Sequence, residues 1–342
     1  MLDWTDRHYR YMARQITRHT RLYTEMINVN ALIHGDTAAF LAHHESEHPV
    51  ALQLGGSDPA ALARCTRMAA QAGYDEVNLN CGCPSPRVQH GAFGACLMRE
   101  VDLVAGCLNA MQDAADILVT IKHRIGVDKD ENYAVVRDFV GTLADKTACR
   151  VFIVHARNAW LEGLSPKENR DIPPLRYDFV HRLKQDFPAL TVVINGGLSD
   201  NAAIAEQLQH VDGVMVGRAA YHQPMLMREW DRLFYGDDHP PIRHEELVEK
   251  LYQYAQNQLA THPDVRLRHM ARHYLGALHG ENGARRWRQM LSDAALLKNN
   301  DARLIQAAFA AAQNQAETFA KVCHVDVVRR NSTAESADIS LR

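Results

Sequence analysis

Seven short runs of β-branched and apolar residues alternate with segments of helical periodicity over the first two thirds of this chain. No other feature narrows the possible folds as far. The runs are Leu22–Met26, Val50–Leu54, Val77–Leu79, Ile117–Ile121, Val151–Val154, Val192–Ile194 and Val214–Val216. Between them lie helical patterns such as Pro59–Ala72, which follows Ser57–Asp58 and opens with proline, and Asn201–Leu208 behind Ser199–Asp200. Both have a capping residue where a helix needs one. Strands that recur every roughly 20 to 40 residues with helices between them predict repeated βα units and a parallel sheet.

The residues at the ends of the runs narrow this further. Glu25, Gln53, Asn80, Lys122, His155, Asn195 with Gly196–Gly197, and Gly217–Arg218 sit where each buried strand gives way to a loop. In an α/β TIM barrel, (β/α)8, these positions converge on one rim, where such barrels build their sites. A closed barrel needs eight strands, and only seven can be counted. Met1 directly precedes the loop-like Asp3–Trp4–Thr5–Asp6, so the first strand is expected to be missing or truncated, with the natural start upstream.

From Pro240 the strand signals stop. Arg243–Leu259, Val265–His279, Ala284–Leu297 and Asp301–Val322 carry apolar residues at helical spacing, with Gly280 and Gly283 as breaks and Asn300 or Asp301 as a cap. The expected organisation is a barrel over residues 1–235, a C-terminal helical bundle over 240–325 and a polar, disordered tail over 326–342. In the 342 residues no apolar run approaches the roughly 18 needed to cross a membrane. No secretory leader opens the sequence, and the seven scattered cysteines are read as free thiols. The expectation is a cytoplasmic, monomeric protein with no membrane partner.

The densest chemistry is the string Asn80-Cys81-Gly82-Cys83-Pro84-Ser85-Pro86-Arg87-Val88, running on to Gly91-Ala92-Phe93-Gly94. Cys81 and Cys83 face opposite ways in an extended segment, so only one can point into a barrel mouth. Cys81 is read as a small buried hydrophobe and Cys83 as a reactive thiol on a mobile loop. Paired C-x₂-C spacing is missing, so a metal site is not expected. The glycine pairs after the last two strands, with a helix start at Ser199–Asp200 and the charge of Arg218, suit a phosphate-bearing cofactor or substrate. A lysine buried in such a mouth needs an anionic partner. For Lys122 that partner is the electron-rich ring of a flavin, with pairing to Glu25 or snorkelling to solvent as the alternatives. His43, His44 and His48 are read as surface residues. No hydrolytic triad, H-E-x-x-H or P-loop is present.

Across nearly the whole chain, to about residue 320, the sequence resembles the tRNA-dihydrouridine synthases, and within them the A-type branch. The resemblance rests on Met1–Arg7, Tyr23–Met26, His48–Gly56, the Asn80–Pro84 loop, Gly94–Met98, His155–Arg157, Gly163–Arg170, Asn195–Gly197 and Asp212–Arg218. It implies FMN held by Met1, Gln53, Lys122, His155, Asn195, Gly196, Gly197, Gly217 and Arg218. It further implies NADPH as reductant, Cys83 as proton donor, and uridines 20 and 20a of the tRNA D-loop as substrate. Asn80, Arg157, Lys167, Arg285 and Arg288 are the expected tRNA contacts. Two departures stand out: the family's Ala-Pro strand before Met-Leu-Asp-Trp is absent here, and Cys81 places a second thiol beside Cys83. Two rival readings remain. A flavin barrel acting on a small molecule would share the cofactor residues and not need the helical domain, whereas an RNA-binding relative without catalysis would not need Cys83.

Overall fold

Every one of the seven apolar runs forms a strand. The structure, a computed structural model, describes residues 1–85, 88–89, 91–128 and 132–314. The strands are β1 Leu22–Asn28, β2 Val50–Gly55, β3 Glu76–Cys81, β4 Leu118–Arg124, β5 Val151–His155, β6 Thr191–Asn195 and β7 Gly213–Met215. They form one sheet in strictly sequential order, each parallel to the next. Helices intervene throughout, so the sheet is that of a TIM barrel with seven described strands. β1 pairs with β2 and β7 with β6, and the first residues lie against both of these edge strands. Asp3 donates its amide to Glu25 on β1, Met1 approaches Gly217 just beyond β7, and Trp4 stacks on Tyr221 at 4.5 Å.

β2 and β3 are buried along their whole length, as strands covered on both faces must be. Their outward residues pack under helices. Leu79 is fully buried, and truncating such a leucine to alanine costs about 2–5 kcal/mol. The first predicted helix spans Pro59–Gln71, with Asp58 accepting the amides of Ala60 and Ala61, and it lies beside Val101–Ala114. The other begins at Asn201 under an Asp200 cap.

Two compact units divide the chain differently from the expected boundaries. The barrel unit comprises Met1–Tyr221 with Leu226–His239, and His222–Met225 joins the residues from Pro240 onward in the second. The reason is a close packing within that second unit. A Cβ on Gly276 would lie 2.5 Å from the carbonyl oxygen of His222 and 2.9 Å from Pro224. Helices His244–Thr261, Leu267–Tyr274, Ala284–Ser292 and Ala294–Lys298 and the helical residues 303–314 build this unit. Val265–His279 was expected to be one helix, but it stops at Tyr274, whose carbonyl takes the indole N–H of Trp287 at 2.8 Å. Ala284–Leu297 breaks in two at Asp293 because its carboxylate caps the amides of Ala295 and Leu296. Asp301 caps the last helix through Arg303, while Asn300 accepts the amide of Leu267. The expected helix end near Val322, the tail and Cys323 lie outside the described residues. No described helix is long and apolar enough to cross a membrane.

Candidate active site

Alternation along β3 sends Val77, Leu79 and Cys81 outward and Glu76, Asn78 and Asn80 into the barrel. The inner face is therefore polar, and its groups satisfy one another. Gln53 of β2 donates to Asn78 at 2.9 Å, Asn78 donates to Thr120 of β4 at 2.7 Å, and Thr120 donates to Glu76. At the upper end Asn80 donates to Gln53 at 3.0 Å, and its Oδ1 accepts the backbone N–H groups of Gly82 and Cys83 at 3.1 and 3.0 Å.

Cys83 is thus held from several sides. Besides Asn80, its carbonyl accepts the amide of Ala95 at 2.9 Å, and the preceding carbonyl, of Gly82, accepts Arg124 Nε at 3.1 Å. On the loop read as mobile from its prolines and glycines, Cys83 has both its backbone N–H and its carbonyl hydrogen-bonded. Its side chain is half-buried, whereas Cys81 is wholly buried and its thiol is pushed well up by burial. Pro86, Arg87 and His90, farther along, lie outside the described residues.

Cations crowd the same rim. Lys122 pairs in register with Asn80, and Arg124 with His155. Burial first and then Arg124 push the Lys122 ammonium down to about 8, while Cys83 opposes the shift. His155 is held well below the ordinary imidazole range by burial and by Arg124, Lys122, Arg157 and Arg218, so it is neutral. Arg124 is 3% exposed and donates to the carbonyls of Asn158 and Asn169 as well as Gly82. Burial lowers it to about 10, which leaves it charged at neutral pH. Arg157 donates to the carbonyls of Asp171 and Pro173, while its buried Nε has no hydrogen-bond partner.

The glycine segment after β6 is a cradle. Gly196 has φ of 121°, and a Cβ there would stand 2.7 Å from the His155 ring; Gly197 has φ of 71°. Tyr177 donates to the Gly196 carbonyl at 2.5 Å, and Asn195 Nδ2 donates to the carbonyl of Met215, tying β6 to β7. Gly217 follows β7, with Met1 Sδ nearby, and Arg218 forms an ion pair with Asp171 at 2.8 Å. The glycine N–H groups, the cations of the rim and the unpartnered Arg157 Nε make a donor set that fits a flavin with a phosphate tail.

Lys167 is exposed on the segment after β5. In the second unit Arg285 and Arg288 are exposed on one helix, and Trp287 between them is fully buried. The structure therefore brings Gln53, Asn80, Cys83, Lys122 and His155 into one mouth with the glycines and Arg218, while Arg285 and Arg288 belong to a different unit. Sequence reasoning passed over Glu76, Asn78, Thr120 and Arg124. The polar residues recurring every second position in Glu76-Val77-Asn78-Leu79-Asn80 were the signal for a lined interior. Counting Val77–Leu79 as an apolar run hid it.

Comparison with known proteins adds an independent observation. Residues 1–314 match the family described as Dihydrouridine synthase (Dus). A tRNA-dihydrouridine(20/20a) synthase of Yersinia pestis is 52% identical over 86% of this chain and 85% of its own length. The protein of the same name from Pseudomonas aeruginosa is 53% identical over 85% of this chain and 87% of its own. Among solved structures, morphinone reductase matches at a TM-score of 0.47 and 14% identity over 72% of this chain and 85% of that one.

Proposed function

The chain belongs to the dihydrouridine synthase family, and from this premise we propose that it reduces uridines 20 and 20a of the tRNA D-loop to 5,6-dihydrouridine. The relatives that match over most of its length bear that activity and those positions in their names. The single structural observation supporting the reading most strongly is Cys83: a half-buried thiol on a hydrogen-bonded backbone, within the electrostatic reach of half-buried Lys122. In this reading a single chain acts on cytoplasmic tRNA.

FMN is the proposed resident cofactor, held by Met1, Gln53, Lys122, His155 and Asn195 around the ring and by Gly196, Gly197, Gly217 and Arg218 at the phosphate. When bound, and reduced by NADPH, it supplies the hydride that reaches C6 of the uracil. Every other part falls to the chain. The target base must leave its stack to enter the mouth. Cys83 Sγ gives a proton to C5 as general acid, which requires the fixed placement its backbone has. Lys122 and Arg124 stabilise negative charge developing on the ring, in a site where low dielectric strengthens such interactions. Arg157 and Lys167 are the proposed contacts to the incoming tRNA. Asn80 stands at the uracil edge with one amide proton to offer, since its carbonyl oxygen already accepts both Gly82 and Cys83 and its other amide proton goes to Gln53.

The direct test is an absorbance spectrum of the purified protein, then NADPH and tRNA lacking dihydrouridine, with the modified positions mapped. Flavin bands, NADPH-dependent bleaching and dihydrouridine at 20 and 20a are expected. Bound flavin with no product from tRNA would leave a reductase of small molecules, and a flavin-free protein that still binds tRNA would leave the binding relative.

A further inference from the structure

We propose that Glu76 is a positioning residue for Cys83 and sets the orientation of its loop through a one-way relay of hydrogen bonds across the barrel interior. The inference rests on the reading of Cys83 as the proton donor. Glu76 is 2% exposed and receives Arg21 at 2.6 Å, the hydroxyl of Tyr23 at 2.9 Å and the hydroxyl of Thr120. A carboxylate only accepts, so all three groups must donate to it. The one proton of Thr120 is then spent, and towards Asn78 its oxygen can only accept. Asn78 must therefore present Nδ2 to Thr120 and its carbonyl to Gln53. Gln53 in turn presents Nε2 to Asn78 and its carbonyl to Asn80. What remains for Asn80 is Oδ1 aimed at the N–H groups of Gly82 and Cys83.

Each amide could flip in isolation, and here none is free to. Reversing the relay would end with the Asn80 NH₂ facing two backbone N–H groups, donor against donor, and the loop would have to let go. Its polarity is fixed at the far end of β3, where Arg21 stands against the carboxylate. In Glu76→Gln the new NH₂ must face either Arg21, which offers only donors, or Tyr23 and Thr120, whose hydroxyls can accept. The second choice is the available one, and it removes the acceptor that commits the Thr120 proton, so the relay up to Cys83 loses its fixed polarity.

The experiment uses the full-length, flavin-bound protein and compares Thr120→Val, which keeps the shape and loses the hydroxyl, with Thr120→Ser, which keeps the hydroxyl. Three quantities are followed: amide hydrogen exchange at Gly82 and Cys83, flavin reduction by NADPH, and dihydrouridine formed in tRNA. The valine variant is expected to lose protection at both amides and to form dihydrouridine about 10- to 100-fold more slowly, the scale of a small misplacement of a reacting group. Its flavin reduction should fall much less than its dihydrouridine formation, and the serine variant should match the parent throughout. If Thr120→Val fails to fold, Glu76→Gln carries the same expectations. Protection or turnover retained in Thr120→Val or Glu76→Gln would overturn the proposal, as would loss in Thr120→Ser equal to that in Thr120→Val. A parent protein that forms no dihydrouridine would sink the functional reading instead, and the exchange comparison would still decide the relay.

Discussion

Arg124 Nε donates to the carbonyl oxygen of Gly82 at 3.1 Å, directly beneath the thiol-bearing residue that follows. The same guanidinium reaches the carbonyls of Asn158 at 3.1 Å and Asn169 at 3.0 Å, so one planar group ties the loop after β3 to two points of the segment after β5. Lysine offers a single charged point and cannot span these acceptors. Arg124→Lys is therefore expected to keep the barrel folded while loosening the Cys83 loop. Dihydrouridine formation should fall by about tenfold or more, with NADPH-driven flavin reduction much less affected. Measuring the two half-reactions separately checks this, and equal losses in both would assign Arg124 to flavin binding instead.

The two thiols of the loop should separate cleanly. Cys83→Ala is expected to retain flavin and to lose about 10²–10⁴ in uridine reduction, the usual cost of removing a positioned general acid. Cys81 is buried on the outer face of β3, so Cys81→Ala should be nearly silent in turnover. Steady-state rates of both variants on the same tRNA decide the matter, and a reversed pattern would show that the roles had been exchanged.

The barrel was readable from sequence because buried parallel strands write themselves as short apolar runs, and all seven were found in place. Gln53, Lys122 and His155 were visible because each is a polar residue near the end of such a run. Asn78 and Thr120 were not, since a polar residue inside a run reads as noise until the strand's inner face is known. Arg124 acts by bonding backbone carbonyls from Gly82 to Asn169, a reach across the chain that no local spacing encodes. The helix break at Asp293 was missed for the opposite reason. Apolar periodicity continues across it, and a single capping carboxylate overrides the pattern.

Lys122 should leave a signature in the stability of flavin-free protein. Burial lowers its folded-state value to about 8 from the ordinary 10.5. Between those two values the unfolded chain binds more protons than the folded one, so stability rises with pH across that window. Below pH 8 the full penalty of burying the ammonium is present, on the order of 3 to 4 kcal/mol. Lys122→Met is therefore expected to be more stable than the parent at pH 7, with the gap narrowing as pH rises towards 10.5. Urea unfolding of both proteins at pH 7 and pH 10 measures it, and a gap that does not change with pH would mean the charge is compensated in the fold.

Gly196 has no room for a side chain. Its φ of 121° costs any other residue about 1–3 kcal/mol, and a Cβ would press on the His155 ring at 2.7 Å. Gly196→Ala should lower the flavin content of purified protein severalfold by displacing His155. Gly106 is the control: it lies on the helix Val101–Ala114, where an added methyl would meet nothing within 4 Å, so Gly106→Ala should stabilise by about 0.5–1 kcal/mol. Flavin absorbance per protein and the melting temperature report both effects. Full flavin occupancy in Gly196→Ala would remove this glycine from the cofactor site.

The last expectation concerns how a chain of net charge −3 holds tRNA. Arg266, Arg268, Arg272, Arg285, Arg286 and Arg288 are all exposed in the second unit, and Glu281 is the one acid between Val265 and Arg288. Arg285 and Arg288 are three apart on Ala284–Ser292, so they share a helix face and can address neighbouring phosphates. Burial of Trp287, with its indole bonded to Tyr274, fixes that helix and turns the two arginines outward. Replacing both by alanine should weaken tRNA binding and reduce the slope of log affinity against log salt by about 1 to 2 units, since each phosphate contact contributes about 0.7 to 0.9. NADPH oxidation by the bound flavin should be unaffected, because the barrel unit is untouched. Titrations of tRNA at several salt concentrations read the slope directly. An unchanged slope in the double variant would return these arginines to an ordinary solvated helix face and move the tRNA contact elsewhere.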